Sequence, residues 1–97
     1  MMTLGQKQRK FTFMISMLIQ YAYLNKYELT FGDAHARTGH TKDSFHYKRL
    51  AVDFNLFIDG VYQTNTRAHK SLGEYWKSIG GSWGGDFNDG NHYSYGE

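Results

Sequence analysis

Early in the chain, apolar residues recur at steps of three and four. Phe11, Met14, Ile15, Leu18, Ile19 and Ala22 share one face, while Gln6, Lys7, Arg9, Lys10, Ser16 and Gln20 fall mostly elsewhere. That period predicts an amphipathic helix from about Leu4 to Asn25. The run Phe11 to Ile19 follows Lys7, Arg9 and Lys10 in the manner of a signal peptide, but no small-residue cleavage site comes after it. It is also too short to span a bilayer, so the segment reads as a folded, core-packing helix.

The period then changes. Tyr27 to Ala34 alternates in part and predicts a strand, and the polar stretch Ala36 to Asp43 reads as a loop. Arg49 to Phe57 alternates strictly. Leu50, Val52, Phe54 and Leu56 take one face, and Arg49, Ala51, Asp53, Asn55 and Phe57 take the other. Asp59-Gly60 predicts a tight hairpin turn into Val61-Tyr62. Leu72 to Ile79 reads as a short helix stopped by Gly80-Gly81, with Gly73 weakening it. The tail from Gly80 to Gly96 shows no clear period. A helix, a few antiparallel strands and a second helix make an α+β domain, expected as one unit over residues 1–97.

Composition narrows the chemistry. With 97 residues the chain is one small domain, and an 18% aromatic share lets it bury much apolar area per residue. Cysteine is absent, so there is no disulfide, no thiolate ligand and no cysteine nucleophile. Any metal site must use histidine and carboxylate. The net charge of +2 suits an anionic polymer or an ordinary soluble domain.

Of the five histidines, two sit near acids in suggestive patterns: His46 ahead of Asp53, and His92 after Asp86 and Asp89. Catalytic zinc commonly takes three His or carboxylate ligands and keeps its fourth position for water. His46, Asp53 and His92 would supply such a set, with Asp89 as base. Seven extended steps from His46 to Asp53 would span roughly 23 Å, so the chain must bend between Tyr47 and Leu50 for both to meet one ion. From spacing alone the bland readings stay open. Asp89 before Gly90 also suits a plain turn, Asp86 is a fallback base or a loop residue, and each histidine alone fits a surface or core role. Trp83 and Tyr93 would wall a cleft or pack in the core.

Ser44-x-His46-x-x-x-x-Ala51-x-Asp53, followed by Asp89-x-x-His92, resembles the D-alanyl-D-alanine carboxypeptidase and L-alanyl-D-glutamate peptidase family, its phage endolysin members above all. The runs Leu50 to Phe57, Leu72 to Trp76 and Gly80 to Gly85 are similar too, and the likeness covers roughly residues 27 to 95. The resemblance implies a small α+β fold with an antiparallel sheet, shared with the hedgehog signalling domain. It implies zinc bound by His46, Asp53 and His92, Asp89 as general base, and Arg37 orienting the substrate or polarising its carbonyl. The implied substrate is the peptide stem of bacterial peptidoglycan, cut by a monomer. Such an enzyme would wait in the host cytoplasm and act in the periplasm once the membrane is permeabilised. Two departures stand out: Arg49 replaces the motif glycine, and the segment between Arg37 and Ser44 is short.

Two rivals differ in kind. A shortened cleft loop favours a non-catalytic relative that binds cell wall or serves as a virion structural piece. A nucleic-acid-binding module would interleave exposed rings with basic residues, but here the basic residues are scattered among acids, so no nucleic-acid partner is expected. No membrane partner is expected either.

Overall fold

The computed structural model describes residues 1–32 and 48–96. Helix α1 spans Leu4–Leu24 and opens on a capping box. The Gln6 amide N–H donates to the Thr3 hydroxyl at 3.1 Å, and the Thr3 N–H donates to the Gln6 side chain at 2.8 Å. Its buried residues, Phe11, Met14, Leu18 and Ala22, all belong to the predicted stripe, whose Ile15 and Ile19 are half-buried. Among the described residues no helix is long and apolar enough to cross a membrane.

Strand β1 (Tyr27–Phe31) pairs antiparallel with β2 (Ala51–Ile58), and β2 turns back into the short strand β3 (Val61–Tyr62). Asp59 and Gly60 both take positive φ, 52° and 77°, the backbone of the hairpin turn that their sequence predicts. Val52, Phe54 and Leu56 are buried while Asp53, Asn55 and Phe57 are half-buried, as alternation requires. Ala51 departs from the expectation, being fully buried on the more polar side.

A 3-10 turn at Thr66–His69 leads into helix α2 (Lys70–Ser78). The tail, which has no readable period, folds into β4 (Ser82–Trp83), a second 3-10 turn (Gly84–Phe87) and β5 (His92–Ser94). Strands of two and three residues are too short to display alternation, which is why the pattern did not reveal them. The sheet runs β1-β2-β5-β4, with β3 on β2, and every pairing is antiparallel. The architecture is the α+β arrangement expected.

The core lies between the helices and the sheet. Phe11 meets Trp76 edge-on at 5.9 Å, and Trp76 meets Tyr93 edge-on at 6.1 Å. Tyr21 stacks on Tyr75 at 4.2 Å. The buried Trp76 indole N–H is shared between the Ser94 carbonyl at 2.9 Å and the Ser82 carbonyl at 3.1 Å, which ties α2 to the β4–β5 pair.

Candidate functional site

Strand register decides which chemistry meets. Asp53 on β2 lies directly opposite His92 on β5. Both side chains point to the half-open face, with 21% and 25% of their surface accessible, and His92 Nδ1 lies 3.2 Å from Asp53 Oδ1. Directly opposed residues on one face are close neighbours, so the backbone ladder itself brings the pair together. Ahead of β2 the chain turns at Lys48–Arg49, and Arg49 takes the left-handed φ of 58°. The bend demanded of this stretch is therefore present.

Asp89 sits just before β5 in a turn held from several sides. The Asp89 N–H donates to the Gly84 carbonyl at 2.9 Å, and the His92 N–H donates to the Asp89 carbonyl at 3.2 Å. Gly90 is gripped twice. The buried Trp83 indole N–H donates to its carbonyl at 2.7 Å, and its own N–H donates to the Thr66 hydroxyl at 3.1 Å. A side chain at Gly90 would run into Thr66, so only glycine allows this approach. The Asn91 carbonyl then accepts from the Phe54 N–H at 2.9 Å, which locks the turn to β2. The exposed Asp89 side chain lines, with Trp83, Phe87 and His92, a cavity of about 170 Å³.

Asp53 and His92 fit the donor set that zinc takes. Their 3.2 Å separation is close to the roughly 3.3 Å between two donors held tetrahedrally at zinc bond lengths of about 2.0–2.1 Å. Among the described residues no group of three His, Asp or Glu side chains forms a metal cluster. His46, expected as the third ligand, lies outside the described residues, as do Arg37, Ser44, His35 and His40. Asp86, the fallback base, instead pairs with Lys77 at 3.4 Å on the surface. Desolvation is the largest single effect and lowers the Lys77 pKa, but the hydrogen bonds and charges of Asp86 and Glu74 together outweigh it and raise the pKa.

His69 had no role in the sequence reading, and the structure gives it a distinct setting. It is buried, and its Nδ1 lies 2.8 Å from the Tyr93 hydroxyl. Burial lowers its pKa from 6.5 to about 4, so the ring is neutral, and burial pushes the Tyr93 phenol upward. Thr66 and Trp83 were equally unassigned as supports of the Asp89 turn. Trp83 carried a signal in its glycine-flanked run, whereas Thr66 carried none, because its partner lies 24 positions away.

The family model described as D-alanyl-D-alanine carboxypeptidase matches residues 38–95. That span contains His46, Asp53, Asp89 and His92. No curated protein matches the chain.

Proposed function

The chain belongs to the D-alanyl-D-alanine carboxypeptidase family, and from that premise we propose that it is a zinc-dependent peptidase that hydrolyses peptide bonds in bacterial peptidoglycan. The observation that carries this reading is the Asp53–His92 pair at 3.2 Å beside the Asp89 turn. The family match supports a peptidase of the carboxypeptidase kind. Zinc, the endolysin-type role and the wall substrate are the proposal's own additions.

Asp53 and His92, with His46, would hold the ion. When bound, zinc would acidify a water molecule and polarise the scissile carbonyl. Asp89 takes a proton from the attacking water and delivers it to the departing amine. Its turn is fixed by the Gly84, Trp83 and Thr66 hydrogen bonds, so the backbone that carries the carboxylate is held in place before substrate arrives. Arg37, one residue ahead of the matched span, would orient the substrate carbonyl, a role that rests on the resemblance of its sequence position alone. The substrate is the peptide stem, and a monomer made in the host cytoplasm would reach it in the periplasm after the membrane is permeabilised.

The test is to replace Asp89, Asp53 and His92 with alanine one at a time. Purified peptidoglycan is then digested, new amino termini are counted by mass spectrometry, and bound zinc is measured after dialysis. Asp89→Ala should keep its zinc while turnover falls by about 10²–10⁴-fold. Asp53→Ala and His92→Ala should lose both. Loss of zinc from Asp89→Ala would overturn its role as base, and wild-type protein that yields no new termini would overturn the peptidase reading.

A further inference from the structure

Asp89 stands on the rim of two concavities. One is the cavity shared with His92. The other, about 190 Å³, is lined by Tyr62, Thr64, His69, Asn88 and Asn91 among others. The proposed hydrolysis uses only the first. A peptide cleaved beside Asp89 must extend both ways from the reacting carbonyl, and Asp89 lines both cavities, so the second adjoins the first.

Its wall has a definite character. Among the described residues Asp89 is the only formally charged one that lines it, and no Lys or Arg does, so those residues offer an anion nothing to pair with. Asn88 and Asn91 each bring a side-chain amide with donor and acceptor atoms and with no partner among the described residues. His69 is 3% exposed, its Nδ1 is committed to Tyr93, and its Nε2 has no partner among the described residues. One tautomer makes Nε2 a donor and the other an acceptor. A peptide group carries both functions, so it can satisfy either. A buried polar atom such as His69 Nε2 is costly to leave without a partner, which favours a ligand that completes it.

We propose that this second cavity is a substrate subsite for an uncharged peptide amide, read by Asn88, Asn91 and the buried His69. The proposal rests on the peptidase reading. It adds where one side of the chain lies and which chemistry selects it. A charged group is disfavoured, because an anion would meet Asp89 and a cation would meet two amides and a neutral imidazole in a partly desolvated space.

The test uses the full chain loaded with zinc. N-acetylalanine methylamide, an uncharged single-residue peptide, is titrated while the side-chain amide NMR signals of Asn88 and Asn91 are followed. Two variants alter the subsite with little risk to folding. Thr64→Trp fills the mouth from an exposed position. Asn88→Gly removes an amide at a residue whose φ is +61°, where glycine is at ease. Saturable shifts are expected at both asparagines; Thr64→Trp should abolish both, and Asn88→Gly, which removes one of the two signals, should abolish that of Asn91. In peptidoglycan digestion both variants should raise KM about tenfold, with kcat changed by less than about twofold. Shifts that never saturate, shifts unchanged in the variants, or an unaltered KM would overturn the subsite. Saturable binding without cleavage by the wild type would overturn the peptidase reading and keep the subsite. Cleavage with unaltered KM in both variants would do the reverse.

Discussion

Gly73 shows how one missing side chain sets the packing. It lies inside α2, where alanine would ordinarily gain about 1 kcal/mol in helix propensity. A Cβ there would collide with the Trp83 indole, the group that holds the Gly90 carbonyl. Both residues are buried, so neither can swing away. Overpacking typically costs about 1–3 kcal/mol and outweighs the propensity gain. Gly73→Ala should therefore lower the unfolding free energy by up to about 2 kcal/mol in a urea titration. A more stable variant would mean that the indole does not lie against this glycine. The sequence displayed Gly73 only as a weak point in a helix. Its reason is a contact with a residue on another element, which no local pattern can express.

Among the elements, α1 begins where it does because of chemistry at one turn. Thr3 and Gln6 satisfy each other's backbone donors, and Thr3→Ala should cost about 1 kcal/mol, measurable as a fall in the denaturation midpoint at constant m-value. The long helix, the alternating strand and the Asp59-Gly60 turn were all legible, because each repeats or concentrates a local preference over enough residues. Strands β4 and β5 were not, because their pairing comes from hydrogen bonds to distant partners such as Ser82 with Ser94. The 3-10 turn before α2 was hidden for a related reason. Its Asn65 cap, whose side chain accepts from the Ala68 N–H at 2.9 Å, is a signal shared with many loops.

At the scale of the molecule, stability and pH are joined through one buried imidazole. The unfolded chain protonates His69 near 6.5, whereas the folded chain does so only near 4. Between those values the unfolded state holds more protons, so acid favours unfolding. Stability should be undiminished above about pH 6.5 and should fall by up to about 3 kcal/mol as the pH drops to 4, as read from urea midpoints across that range. His69→Gln should flatten the dependence. A wild-type curve already flat from pH 7 to 4 would show that the ring is not buried as a neutral group. Much of the candidate site could be read in advance, because Asp53, Asp89 and His92 fall in spaced motifs. Its supports could not, because Thr66 and His69 act across elements with no motif to mark them, and the glycine-flanked run around Trp83 does not tell which carbonyl its indole holds.

The opposition of Asp53 and His92 across β2 and β5 has a consequence for assembly fidelity. Along β5 the half-open His92 is followed by the fully buried Tyr93. If the strand slipped by a single position, His92 would turn inward and the tyrosine ring would be thrust into water. A chain mispaired in this way would lose the Asp53–His92 pair and at the same moment present a sticky aromatic flag. Errors that separate the pair thus also mark the molecule as unfinished, and the same short strand carries the candidate ligand and acts as inspector of its own placement.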